Sequence, residues 1–203
     1  ACVVHKRLGL SDECAAFDVG LGCSGYPYGL WLGSMMINTG EIRRVLVLHG
    51  ETPSRFSDDS DRSVSLLFGD TGSATALEAP DPASSTNWFF KLHSDGAGFN
   101  DMIIEAGGFR QRFSAAPKKY CVRMNGASIF NFTIKRVPPL VTDTLAYAKT
   151  RLEDVDYYIF HQSNQFIIKH LTKKLKIPDA KVPLTLKEFG NTGGSSIPLT
   201  ITK

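Results

Sequence analysis

The 203-residue sequence predicts an α/β fold built around buried strands. Three observations carry that reading. Apolar runs such as CAAFDV, RVLVL and VDYYIF are too short for helices and are bounded by turn residues. Longer apolar or amphipathic stretches alternate with them. Strand-like runs ending at Val19, Phe160 and Leu186 each lead through a glycine-rich or polar corner into a helix-like segment. Ligands gather at such carboxyl ends in open α/β sheets.

Taken in order, residues 2–8 read as the tail of a helix closed by Gly9. Residues 14–19 read as a buried strand, and GLGCSG as the turn after it. Residues 28–38 are apolar nearly all round, which predicts a buried helix ended by Gly40. Residues 44–48 predict a second strand, covered on both faces. Residues 51–63 are acidic and turn-rich. Residues 64–68 and 73–77 predict an antiparallel pair of strands joined by GDTG.

Residues 79–119 change to loop chemistry in APDPASS and DGAGFND, with FFKLHS as one strand candidate. A connection this long is usually functional. From Asn125 to Ala148 apolar residues recur at three- and four-residue steps, a helix that Pro138 and Pro139 are expected to kink or divide. Residues 155–160 predict a strand, 165–176 an amphipathic helix, and 180–186 another strand. FGNTGGSSIP then opens a last helix. The chain begins and stops inside helix-like segments, which predicts a fragment.

Hydrophobic residues make up 42% and charged residues 21%, as in soluble globular proteins. A net charge of +3 is too weak to argue for a nucleic-acid partner. Cys2, Cys14, Cys23 and Cys121 form no CxxC pair and no zinc spacing, so neither a disulfide framework nor a metal site is expected. A reducing cytoplasm fits that usage. No run approaches the ~18 apolar residues of a membrane span.

The corners hold Cys23, His161 and Asn191. Alone, Cys23 fits either a buried structural thiol or a nucleophile whose thiolate gains from the following helix N-terminus. Alone, His161 fits a helix cap or a proton-transfer and hydrogen-bonding group. Asn191 fits a turn residue or a neutral donor to a developing oxyanion. Together they form a plausible acyl-transfer set.

The stretches AFDVGLGCSGYPYGL, DRSVSLLFGDTGSA, LHSDGAG, MNGASIFNF, HQSN and FGNTGGSSIP occur in an order that resembles the motifs of β-ketoacyl-acyl carrier protein synthase III. This family of initiating condensing enzymes lies in the thiolase superfamily. The resemblance implies a thiolase-like five-layer αβαβα fold of two similar halves, incomplete here. Residues 1–79 would form the later part of the N-terminal half, 80–120 a connector with surface excursions, and 121–203 the C-terminal half lacking its end.

Carried over by residue, the resemblance makes Cys23 the acyl acceptor. His161 and Asn191 become the pair that promotes decarboxylation of a malonyl thioester. Arg62 falls at the nucleotide part of coenzyme A, Gly126, Phe130, Asn164 and Ile167 along the pantetheine tunnel, and Phe68 near the acyl pocket. On residue type alone, Phe130 and Ile167 also fit plain core. Arg62 also fits a surface charge paired with Asp59 or Asp61. The implied substrates are acyl-CoA and a malonyl thioester on acyl carrier protein, with no separate cofactor or metal. A cytoplasmic homodimer, with no nucleic acid and no membrane, completes the expectation.

Leu21 and Tyr26-Pro27 stand where the family often has small residues. Gln165-Phe166 stands where members commonly place an arginine for carrier-protein docking. Lys169, Lys173, Lys174 and Lys176 supply either an alternative basic face or a solvated helix. The alternatives are a synthase III-like acyltransferase of secondary metabolism, a hydroxymethylglutaryl-CoA synthase and a non-catalytic acyl-CoA binder. The intact Cys/His/Asn set favours condensation.

Overall fold

The computed structural model describes residues 1–81 and 87–203; from residue 82 onward the APDPASS stretch lies outside the described residues. Helices α1 (Cys2–Leu8) and α2 (Gly25–Asn38) precede strands β1 (Arg44–Glu51) and β2 (Thr71–Glu78). Two short strands follow, β3 (Met102–Ile103) and β4 (Arg123–Met124). Helices α3 (Gly126–Tyr147), α4 (Gln165–Leu175), α5 (Leu186–Phe189) and α6 (Ser196–Ile201) complete the chain, with 3-10 turns between elements.

The β1 strand is one residue class of Val and Leu alternating across a pleat, and it pairs antiparallel with β2 from Arg44↔Glu78 to Glu51↔Thr71. Helix α2 lies on the face that carries Val45, Val47 and Leu77. A Cβ on Gly33 would sit 2.6 Å from Leu77 Cδ1, so glycine there sets how closely helix and ribbon approach. Tyr26 Oη meets Thr75 Oγ1 at 3.2 Å across the same contact. The opposite face stays open, with Leu46 49% and Leu48 45% exposed. The expectation of a strand covered on both faces is corrected accordingly. Helix α2 is only partly buried, and Met35 is exposed on it.

Several predicted strands differ. Residues 64–68 form no strand of a hairpin. Val64 N–H and Ser65 N–H both donate to the Asp61 carbonyl, and Leu67 N–H to that of Val64, so local turns take those groups. β2 therefore pairs with β1 instead. FFKLHS forms no strand. Residues 14–19 form no ladder, and Phe17 and Val19 are exposed. Residues 155–160 and 180–186 also lack a ladder but are joined by Tyr158 N–H to the Lys181 carbonyl at 2.8 Å. A strand needs successive bonds to a neighbour, and one bond does not make a ladder.

Burial in that region matches expectation all the same. Tyr158, Ile168, Ile177 and Val182 form a core, flanked by Val141, Leu152, Val155, Phe160, Leu175 and Leu186. Helix α4 places Ile168 in it and Leu175 on its flank, and buries Ile167 and Leu171 as its spacing predicts.

Pro138 and Pro139 lie inside α3, which continues through them undivided. Proline at 138 leaves the Ile134 carbonyl without its usual helical donor. Lys174 Nζ on α4 donates to that carbonyl at 3.0 Å. The division expected at the prolines does not occur.

The connector is pinned by polar contacts. Glu105 pairs with Lys119 and Arg123, Asp95 with Arg136, and Lys118 with Asp58. Val122 N–H reaches the Phe56 carbonyl at 2.7 Å. The accessible surface is 13896 Å² for 22.3 kDa, against about 9,400 Å² for a compact monomer of that mass. Much apolar surface therefore stays uncovered. No helix among the described residues is long and apolar enough to cross a membrane.

Candidate active site

Cys23 sits in a turn closed by Gly25 N–H donating to the Gly22 carbonyl at 2.7 Å, just before α2. Glycine at position 25 lets His49 pack against the turn, because a Cβ there would lie 2.5 Å from His49 Cε1. The electrostatics differ from the expected thiolate. Burial first, and the Glu51 charge second, push the thiol up from 9.0 to about 11, against a backbone hydrogen bond that lowers it. The resting group is a neutral thiol.

His161 follows the extended stretch at 155–160 and precedes α4. Its Nδ1 lies 2.8 Å from Ser196 Oγ, and Gln162 N–H donates to the same oxygen at 3.1 Å. Burial pushes the ring down from 6.5 to about 4, outweighing the Glu51 charge and a backbone hydrogen bond at Gly193 that raise it. His161 is neutral near physiological pH.

Asn191 is buried in the loop before α6. Its backbone bridges Phe68: Gly69 N–H donates to the Asn191 carbonyl, and Asn191 N–H to that of Leu67, both at 2.9 Å. Its side-chain Oδ1 accepts Gly193 N–H at 3.0 Å, which leaves the amide hydrogens free to donate.

The loop at Gly193 and Gly194 is where the corners meet. A Cβ on Gly194 would lie 3.1 Å from the Gly22 carbonyl oxygen in the Cys23 turn. Gly193 contributes the backbone hydrogen bond at His161 and the N–H on Asn191. Phe68 abuts Asn191 through the bridge. Cys23, His161, Asn191 and Phe68 are thus gathered about one loop.

Gly126, Phe130, Asn164 and Ile167 lie along the α3–α4 pairing. Gly126 is exposed at the first turn of α3. Phe130 stacks on Phe166 at 5.6 Å between ring centres and meets the edge of His170 at 5.4 Å. Asn164 caps α4, accepting Phe166 N–H at 2.7 Å, and Ile167 is buried. Arg62 stands apart beside an open depression lined also by Lys118, Arg123 and Cys121. The pairing with Asp59 or Asp61 does not form. Asp61 instead accepts Ser63 N–H and Oγ–H.

Sequence reasoning missed His49 and Glu51. His49 Nε2 lies 3.0 Å from Glu51 Oε1, and Gly194 N–H donates to the same oxygen at 2.7 Å. Their signal was present: a histidine and a carboxylate at the carboxyl end of a strand, just past the predicted boundary at Leu48. Among the described residues no group of three or more His, Cys, Asp or Glu is arranged to hold a metal.

Comparison with known proteins identifies the family and the fold. Residues 17–96 match the family model described as 3-Oxoacyl-[acyl-carrier-protein (ACP)] synthase III, and residues 145–203 match its C-terminal model. Beta-ketoacyl-[acyl-carrier-protein] synthase III of Microcystis aeruginosa is 34% identical over 99% of this chain and 61% of its own length. The Thioalkalivibrio sulfidiphilus protein of the same name is 36% identical over 99% of this chain and 62% of its own. A crystal structure of 3-oxoacyl-(acyl-carrier-protein) synthase III superposes with a TM-score of 0.94 at 37% identity, over 100% of this chain and 64% of that one. A 3-oxoacyl-(acyl-carrier protein) synthase from Burkholderia xenovorans LB400 gives 0.90 at 44%, over 100% and 59%. The chain therefore spans about three-fifths of the length of these relatives. The fold is thiolase-like, and the chain belongs to the 3-oxoacyl-[acyl-carrier-protein] synthase III family.

Proposed function

We propose that the protein is a decarboxylating condensing enzyme that moves an acyl group from acyl-CoA through Cys23 onto a malonyl thioester held on acyl carrier protein. The observation that carries it is the convergence of a neutral thiol, a neutral imidazole and a free amide donor on the Gly193–Gly194 loop.

In the first half-reaction Cys23 gives its proton to His161 and its sulfur attacks the acyl-CoA carbonyl. The carbon–sulfur bond to coenzyme A breaks, and the departing thiolate takes the proton back from His161. Covalent catalysis divides one hard transfer into two easier ones. A neutral His161 is the form able to accept that proton.

In the second half-reaction the malonyl thioester loses carbon dioxide, and the electron pair of the broken bond becomes an enolate. An N–H of His161 and the amide of Asn191 donate to its oxygen. The enolate carbon attacks the acyl-Cys23 carbonyl, the carbon–sulfur bond breaks, and Cys23 leaves as a thiolate that takes a proton from solvent. The product is a 3-oxoacyl thioester. Ser196 suits both halves: its oxygen accepts Gln162 N–H, and its hydroxyl either donates to His161 Nδ1 or accepts from it. Both tautomers of the ring are thereby held in one orientation.

Arg62, with Lys118 and Arg123 beside it, is assigned to the phosphates of coenzyme A. Gly126, Phe130, Asn164 and Ile167 are assigned to the pantetheine arm, and Phe68 to the acyl end. No separate cofactor or metal is assigned. Two similar halves, 1–79 and 121–203, joined by 80–120 in five layers, a homodimer and a cytoplasmic location belong to the same reading.

The test is intact mass after incubation of the intact protein with acetyl-CoA and longer acyl-CoAs. An acyl adduct that vanishes in Cys23→Ala is expected. No adduct with any acyl-CoA sinks the reading.

A further inference from the structure

His49 and Glu51 have no part in the chemistry above, yet they are bonded into the centre of the site. Their side chains are only 12% and 21% exposed. We propose that they form a positioning pair: Glu51 ties the loop carrying Asn191 to β1, and its carboxylate is a fixed anion facing both Cys23 and His161. This rests on the condensing function proposed above.

The geometry is a clamp. Glu51 Oε1 accepts from His49 Nε2 and from Gly194 N–H, and Ser195 Oγ donates to the His49 carbonyl at 2.8 Å. The loop approaches so closely that side chains at its apex are excluded. A Cβ on Gly193 would lie 1.9 Å from Glu51 Oε2, and one on Gly194 would lie 2.3 Å from His49 Nε2. Gly193 also has φ +59, where a larger residue is strained. Displacing the pair would shift Gly193 N–H, the group that orients Asn191 Oδ1.

The charge follows from the same contacts. Burial alone would raise the Glu51 carboxyl, but the His49 hydrogen bond first and the Gly194 N–H second hold it below its usual range. Glu51 is therefore a carboxylate near neutral pH and accepts only, so His49 Nε2 carries the hydrogen between them. The titratable groups facing Glu51 are His49 on β1, Cys23 before α2 and His161 before α4. A fixed anion there opposes a free thiolate at Cys23 and favours a protonated His161. The bare nucleophile stays masked at rest, and the proton His161 must return to the leaving thiolate is favoured on the ring.

Glu51→Gln keeps an oxygen for both N–H donors and removes the charge. The measurement is the pH midpoint of Cys23 alkylation by iodoacetamide, followed by peptide mass in the intact protein. The midpoint is expected to fall by about one pH unit, with alkylation near pH 8 on the order of tenfold faster. An unchanged midpoint in a folded Glu51→Gln protein overturns the proposal. Should that variant fail to fold, His49→Gln decides. It is expected to lower malonyl decarboxylation several-fold while Cys23 still acylates, and decarboxylation at the wild-type rate overturns the pairing. Alkylation requires no substrate, and the decarboxylation arm is read against the wild-type rate, so failure of the pairing is distinct from absence of an acyl adduct in the wild-type protein.

Discussion

The Cys23 corner and the His161/Asn191 corner reach the same loop by different means. At Cys23 the backbone does the positioning, through one closed turn and glycines that admit His49 and the Gly193–Gly194 loop. At the other corner side chains do it. Gln162, fully buried, donates to the Phe160 and Pro183 carbonyls and accepts Thr185 N–H, while Ser196 holds His161. A covalent nucleophile must let bulky groups approach and leave, which a bare turn permits. Two donors aimed at one oxygen must hold direction, which a dry polar network provides.

The contrast breaks most clearly in the chemistry. His161→Ala and Asn191→Ala are each expected to slow malonyl thioester decarboxylation ~10²–10³-fold. The Asn191→Ala variant should still form the Cys23 acyl adduct by mass. Decarboxylation unaffected in both variants removes the network corner from the reaction.

The next largest effect is on stability against pH. His161 binds its proton near pH 4 when folded, against 6.5 ordinarily, so the unfolded chain binds more protons between those values. Stability is therefore full above pH 6.5, falls as pH drops towards 4, and levels below. The contribution is at most about 3 kcal/mol. Denaturant titrations at several pH values read it, and His161→Gln should flatten that part of the slope.

Gln162→Leu, which removes three bonds and leaves buried partners unpaired, is expected to destabilise by about 2–4 kcal/mol in denaturant unfolding. Gly25→Ala makes the converse point. Its Cβ would strike His49, so slower Cys23 acylation in a rapid-quench mass assay is expected, with a stability loss of about 1–3 kcal/mol. If Gln162→Leu and Gly25→Ala affected acylation alike, the two corners would not be built differently. Ser196→Ala carries the smallest effect, about 1 kcal/mol in unfolding, with decarboxylation reduced on the order of tenfold.

What the sequence discloses divides along physical lines. Helix α4 was legible because apolar spacing reports burial, α2 as a helix from its long apolar run although its burial is only partial, and Gly9 and Gly40 because positive φ favours glycine. Residues 155–160 and 180–186 were read correctly as core but wrongly as strands, since hydrophobicity says what is buried and nothing of which backbone pairs with which. Residues 64–68 failed for a sharper reason. The Asp61 side chain accepts Ser63 N–H while its backbone carbonyl accepts those of Val64 and Ser65, a local turn that an apolar count misses. The corners holding Cys23, His161 and Asn191 were legible from apolar runs that lead through polar or glycine-rich turns, although none of the three runs pairs as a strand and Asn191 follows the short helix α5. The Cys23 charge state was not, because Glu51 is remote in sequence and acts through space.

The bond from Lys174 to the Ile134 carbonyl changes how the lysines of α4 add up. An anionic visitor to that helix would meet Lys169, Lys173 and Lys176 around one depression, but would find the fourth ammonium already tethered to its neighbour's backbone. The proline that removed a hydrogen from α3 thus fixes where one lysine of α4 points, while that ammonium keeps its charge and its other two hydrogens.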